Sequence, residues 1–134
     1  MPKKFALYIF TPMLLVLGCA STVPKVKDVT ELDPPHKARA SYEHGEIRIT
    51  WEASADEALP DFEGYNIYYA NESLILTAIK KLPPPVMVDK NQHACTLADL
   101  QPNARYFLHV RSRNRNDELS FPSLPELIVA TGAF

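Results

Sequence analysis

Residues 100–112 read LQPNARYFLHVRS, and this stretch decides the fold. From Tyr106 onward the apolar residues alternate, with Tyr106, Leu108 and Val110 on one side and Phe107, His109 and Arg111 on the other. A period of two sends successive side chains to opposite faces of an extended strand, whereas a helix repeats every 3.6 residues. The stretch is therefore a strand with one apolar face, entered from a proline-containing turn.

Working outward, the same period recurs. Residues 46–51 (EIRITW) place Ile47, Ile49 and Trp51 on one face and Arg48 and Thr50 on the other. Residues 64–70 (GYNIYYA) turn Tyr65, Ile67 and Tyr69 inward, residues 93–97 alternate more weakly through Cys95 and Leu97, and Leu127 and Val129 continue the pattern. No helical period appears after Pro35. Short strands separated by turn-rich segments at this spacing indicate an all-β sandwich. Each large inward side chain contributes roughly 1.5 to 3 kcal/mol when fully buried, which suffices for a domain of this size without covalent staples.

Trp51 at the end of an early strand, Gly64-Tyr65-x-Ile67-x-Tyr69, and Leu100-x-Pro102-x-x-x-Tyr106 together resemble a fibronectin type III domain. The resemblance covers residues 35–131. It implies an immunoglobulin-like sandwich of about seven antiparallel strands, with Tyr106 in a tyrosine corner whose hydroxyl bonds the backbone a few residues upstream. On that pattern strands are expected at 38–42, 47–51, 65–70, 93–97, 106–113 and 126–131. Residues 71–90 (NESLILTAIKKLPPPVMVDK) are longer and more apolar than the usual connection, and Leu74-Ile75-Leu76 reads either as an extra strand or as one helical turn.

The N-terminal end is an address. Lys3 and Lys4 precede the apolar stretch 5–17 (FALYIFTPMLLVL), which is shorter than the roughly 20 residues a spanning helix needs. A charged start followed by such a stretch reads as a secretory signal peptide over 1–18. Val16-Leu17-Gly18-Cys19 resembles the lipobox of bacterial lipoproteins, with Val16 where Leu is usual. That resemblance implies cleavage before Cys19 and its acylation, several chains supplying the double anchor that stable attachment needs. An ordinary signal peptide with an incidental cysteine is the other reading. Residues 19–35 are then a lipidated start and flexible tether, in which 20–35 (ASTVPKVKDVTELDPP) could reach on the order of 50 Å if extended. Residues 36–134 form the domain. Ala20 and Ser21 follow the cysteine with no Asp at the second position, which under the enterobacterial sorting rule implies the outer membrane.

Composition narrows the function. Apart from Lys3 and Lys4 the chain carries 12 basic and 16 acidic residues, net −4, which argues against a nucleic-acid partner. Twelve prolines against four glycines argue against glycine-built phosphate cradles, and no cofactor is expected. His36, His44, His93 and His109 make no metal-ligand spacing, and no GxSxG is present. Glu52, Asp56, Glu57, Asp61 and Glu63 cluster between two strands without calcium-loop spacing and read as a solvated loop, paired weakly with Arg113 and Arg115 across one pole. Cys95, the only cysteine besides Cys19, reads as a buried, inert thiol. Pro83-Pro84-Pro85 reads as protection of a sheet edge, the alternative being a docked polyproline segment.

One surface stands out. If Tyr65, Tyr106 and Leu127 point inward, then Tyr68, Phe107, His109, Arg111 and Ile128 point outward from adjacent strands. Aromatic residues and arginine without lysine or glutamate match the composition of interface centres. Either this face binds a partner, or the segment around Leu74, Ile75 and Leu76 folds across it. The expected function is that of a lipid-anchored, non-enzymatic envelope protein presenting one domain for protein or glycan contact. The alternative is a structural or accessory lipoprotein of a larger envelope assembly.

Overall fold

The computed structural model describes residues 32–132. Cys19, the signal segment and most of the tether lie outside the described residues. Seven strands follow in order: β1 (His36–Glu43), β2 (Glu46–Glu52), β3 (Phe62–Ala70), β4 (Val86–Asp89), β5 (Ala94–Leu97), β6 (Arg105–Asn114) and β7 (Leu127–Ala130), with one 3₁₀ turn at Ile79–Lys81. They form two antiparallel sheets, β1-β2-β5 and β4-β3-β6-β7. Among the described residues no helix is long and apolar enough to cross a membrane.

Local chemistry explains the strand ends. Glu43 pairs with Glu46 across a two-residue turn in which His44 and Gly45 have φ of 52° and 80°. Two positive φ values in succession match the right-handed twist of the flanking strands, and glycine adopts its value without steric cost. At Gly64 a side chain would lie 2.0 Å from the Val88 carbonyl oxygen, so only glycine lets β4 approach β3 there.

The inward faces meet in one core. Ile47, Ile49 and Trp51 of β2 pack with Leu97 of β5 against Tyr65 and Ile67 of β3, Tyr106, Leu108 and Val110 of β6, and Val129 of β7. Trp51 and Phe62 both meet the Tyr65 ring edge to face, at 5.4 and 5.3 Å. Such pairs add about 0.5 to 1.5 kcal/mol beyond their burial. The whole core closes within the described residues, without a disulfide. Cys95 is half-buried at its margin, and burial pushes its thiol pKa up.

Tyr106 forms the expected corner. Its hydroxyl oxygen accepts the Gln101 N–H at 2.8 Å, and Thr131 Oγ1 fastens the same turn by accepting from Ala104 N at 2.9 Å and donating to Gln101 O at 2.6 Å.

Two expectations need correction. The extra strand lies at Val86–Asp89, not at Leu74–Leu76, because Val86 and Val88 alternate toward the core and pair with Ile67 and Tyr65. β4 is a sheet edge, and Pro83-Pro84-Pro85 leads directly into it. Asp33, placed by sequence in the tether, is bonded into the domain. Its carbonyl oxygen accepts from Ser54 Oγ at 2.6 Å and Ser112 Oγ at 2.7 Å, and its N–H donates to Asp56 Oδ2 at 2.8 Å.

Candidate functional site

The pleat directs Tyr68, Phe107, His109, Arg111 and Ile128 away from the core, as the alternation requires, but the face is not open. Tyr68, His109 and Arg111 are buried, Phe107 is half-buried, and only Ile128 is exposed. The cover is the connection between β3 and β4. Leu74 is buried with Tyr68 and Leu119, and Leu82 packs on the same cluster. One carboxylate holds the connection in place: Glu126 accepts from Ser73 Oγ at 2.6 Å, Leu74 N at 3.0 Å and Ile75 N at 3.1 Å. These N–H groups are thereby taken out of any strand ladder, so the Leu74–Leu76 run is a braced turn.

Beneath the cover lies a polar network. The Tyr68 and His109 rings meet at 5.4 Å with a 37° tilt. Arg111 Nε donates to His109 Nε2 at 3.1 Å, which assigns the ring proton to Nδ1, and Arg111 Nη1 donates to the Ser120 carbonyl at 3.0 Å. Arg113 Nη1 donates to Asn66 Oδ1 at 2.7 Å, and Asn66 Nδ2 donates to Tyr68 Oη at 3.0 Å. Burial, reinforced by the neighbouring Arg111, pushes the His109 pKa down to about 4. Burial also lowers that of Arg111, against the opposing influence of Tyr68. Among the described residues neither buried guanidinium forms an ion pair with a carboxylate. Neutral oxygens and an imidazole nitrogen satisfy them instead. This is the chemistry of a fastening, since a desolvated cation is costly unless its donors are bonded.

The acidic loop between β2 and β3 is likewise engaged. Asp33 Oδ2 accepts from Ala55 N at 2.7 Å and bonds His36 Nε2 at 2.8 Å. Tyr65 donates its hydroxyl proton to Glu57 Oε2, which also bonds His93 Nε2 at 2.7 Å, while Ser54 N donates to the Tyr65 oxygen at 3.0 Å. Burial alone would raise both carboxyl pKa values, yet these hydrogen bonds and the adjacent histidines outweigh it and lower them. Burial, then the Glu57 carboxylate, raises the Tyr65 pKa. Ser54, His36 and Asp33 are hydrolase residue types, but Ser54 Oγ donates to the Asp33 carbonyl and His36 bonds the Asp33 carboxylate. Ser54 Oγ also approaches the Asp33 carboxylate, at 3.4 Å, but the bond from an imidazole to the hydroxyl that a Ser-His-Asp arrangement needs is not among those the described residues make.

The expected pairing of this loop with the arginines also needs correction. Arg113 points to Asn66, and Arg115 reaches the loop through backbone, its N–H donating to Asp61 O at 2.7 Å and Nη2 to Pro60 O at 3.1 Å. Carbonyl oxygens of the turn, Asp61 O and Pro60 O, take the Arg115 donors. Among the described residues no group of three or more His, Cys, Asp or Glu could hold a metal ion.

The surface that is open was not anticipated. An apolar groove of about 520 Å³ lies between Pro34–Lys37 at the start of β1, Ile75 and Leu76 on the braced turn, and Phe121, Pro122 and Leu124 before β7. Each wall is fixed. Asp33 pins the first and Glu126 the second, while Ser120 N and Ser123 N hold the third by donating to Ser112 O at 3.0 Å and Val110 O at 2.8 Å. Leu76 is 96% exposed and Leu124 70%. The groove draws on three segments far apart in sequence, none with a period. The only advance signals were the Leu74-Ile75-Leu76 run and the unpaired Phe121 among prolines.

Comparison with known proteins decides the family. The fibronectin type III domain model matches residues 33–126. The chain belongs to the fibronectin type III family. No curated protein sequence matches it. Among solved structures, the FN1–FN3 domains of chicken CNTN1 are similar at 20% identity and a TM-score of 0.57, covering 74% of this chain and 32% of that one. The chain thus spans about a third of that structure's length. A Fn3-like protein from Clostridium thermocellum is 17% identical with a TM-score of 0.51, covering 77% of this chain and 95% of its own. The Clostridium perfringens spore cortex lytic enzyme SleM is 14% identical with a TM-score of 0.51, but only 28% of that chain is covered. At these identities the likeness is one of fold, and fibronectin type III sandwiches host many roles.

Proposed function

We propose that the protein is a lipid-anchored, non-enzymatic component of a bacterial cell envelope that presents its one fibronectin type III domain to a protein or glycan partner. The anchor rests on Val16-Leu17-Gly18-Cys19, and its proposed location is the outer membrane. The single observation that carries the binding reading is the engagement of the candidate acid and base groups described above in bonds that fasten loops, which leaves surface as what the domain offers. The outward face of the three-stranded sheet is polar, with Arg39, Ser41 and Thr50 cross-strand or adjacent to Arg48 and Thr96. Guanidinium and hydroxyl groups in that array suit hydroxyl-rich or carboxylate-bearing partners.

The test is labelling of the full chain with radioactive palmitate, alongside detergent-phase partition, for wild type and Cys19→Ser. Wild type is expected to take label and enter the detergent phase, and the variant to do neither. Unlabelled wild type would overturn the anchor. Arg48→Glu is expected to abolish crosslinks made from a photoreactive residue at Thr96 in intact membranes, and unchanged crosslinks would remove that face.

A further inference from the structure

We propose that the apolar groove is a membrane-docking surface whose occupant is an anionic phospholipid bilayer. This deepens the reading above, on which it rests for bringing a bilayer near the domain. The shape is the first argument. Leu76 projects almost wholly into solvent and Leu124 largely so, on turns that are themselves braced, and Phe121, about half exposed, lines the same groove. Rigid apolar and aromatic side chains gathered on one surface match what enters the headgroup and acyl boundary.

Charge is the second argument. The chain carries 16 acidic against 14 basic residues, yet the groove's lining contains no carboxylate, and its ionisable members are His36 and Lys37. His36 bonds the Asp33 carboxylate at 2.8 Å, and Lys37 pairs with Glu52 at 3.4 Å, but both side chains of the second pair are largely exposed, and such a pair yields readily to another anion. Lys37 at the rim of an apolar patch whose lining holds no carboxylate, in a chain of net negative charge, complements an anionic leaflet.

Position is the third. Pro34–Lys37 form one wall, and the residues that lead back to Cys19 join the domain immediately before them. A domain tethered there keeps this groove within reach of the surface that holds the tether. A protein strand is a poorer occupant, because Pro34, Pro35 and Pro122 have no N–H to donate to an added strand.

The test uses residues 20–134, which hold the entire core and lack Cys19, so acylation plays no part. The protein is sedimented with vesicles of phosphatidylethanolamine and phosphatidylglycerol, and with phosphatidylcholine vesicles for comparison. A Phe121→Trp version reports insertion by fluorescence. Binding to the anionic vesicles with a blue shift is expected, weakened about tenfold or more by Leu76→Asp and less by Lys37→Glu, and reduced by added salt. Leu76 is so exposed that its replacement leaves the fold intact, which circular dichroism checks. Absence of binding to anionic vesicles would overturn the proposal, as would equal binding by Leu76→Asp. Self-association abolished by Leu76→Asp, without vesicle binding, would assign the groove to a second copy and overturn it as well. Failure of the anchor would appear instead as missing palmitate on the full chain, and would leave the vesicle measurement unchanged.

Discussion

Strand β6 buries both of its faces, by opposite means. Its inner face sets Tyr106, Leu108 and Val110 into an apolar core. Its outer face sets His109, Arg111 and Arg113 beneath other segments, where the two guanidinium groups bond Ser120, Asn66 and His109 Nε2, while His109 Nδ1 is buried without a partner. The inner face gains from leaving water, whereas the outer face gains only if every donor finds an acceptor. The two faces therefore predict unequal responses. Leu108→Ala is expected to cost about 4 kcal/mol, through lost transfer energy and the cavity left behind. Phe107→Ala, its half-buried neighbour on the outer side, should cost about 1 kcal/mol. Urea unfolding measures both, and similar costs would mean that the cover is packed as tightly as the core.

Acid separates the two faces next. The His109 pKa is about 4 in the folded chain against 6.5 for an unperturbed histidine, so between these values the unfolded chain binds a proton that the folded one refuses. Stability is therefore complete above about pH 6.5 and falls as pH drops toward 4, by about 3 kcal/mol at roughly 1.4 kcal/mol per pH unit. The lowered carboxyls of Asp33 and Glu57 have the same sign but act lower: their stabilisation is present above ordinary carboxylate values and is lost below them. His109→Gln, whose amide oxygen can accept the Arg111 Nε–H, should flatten the upper part of the curve and leave the lower part. A curve still falling from pH 6.5 in that variant would place the titration elsewhere.

What the sequence could show follows from the same contrast. Alternation in β2, β3 and β6 reports which side of a strand a residue leaves from, and those directions were legible: Tyr68, His109 and Arg111 do leave from the outer side. It does not report what another segment lays over that side. The cover depends on Glu126 reaching back to Ser73, Leu74 and Ile75, more than 50 positions away, and no local period encodes such a bond. The groove was hidden for the same reason, since Leu76 and Leu124 become neighbours only after that bond is made. β4 was missed because its four residues follow three prolines and offer only two inward side chains, Val86 and Val88.

Glu126→Ala tests the cover directly. Three hydrogen bonds to one carboxylate, two of them from backbone, should be worth about 2 kcal/mol at a half-buried site. Hydrogen exchange at the Leu74 and Ile75 amides should accelerate while the Leu108 and Val110 amides keep their protection. If the inner-face amides accelerate equally, the cover and the core unfold as one unit, and the distinction between them is kinetically empty.

Among the hydrogen bonds, the smallest effect is expected at the residue that is most legible. Tyr106→Phe removes only the hydroxyl that accepts the Gln101 N–H, and keeps a ring of nearly the same volume in the core. The turn still has Thr131 holding Ala104 and Gln101 at its other side, so the loss should be about 1 kcal/mol. Tyr65→Phe offers the matched comparison. Its hydroxyl accepts from Ser54 and donates to Glu57, so the same single-atom change breaks two contacts and leaves a carboxylate short of a donor. The Tyr65 loss should exceed the Tyr106 loss, although nothing in the spacing of residues around Tyr65 singles out its hydroxyl. A Tyr106 effect equal to or above that of Tyr65 would show that the corner sets the crossing between sheets and not merely the end of one turn.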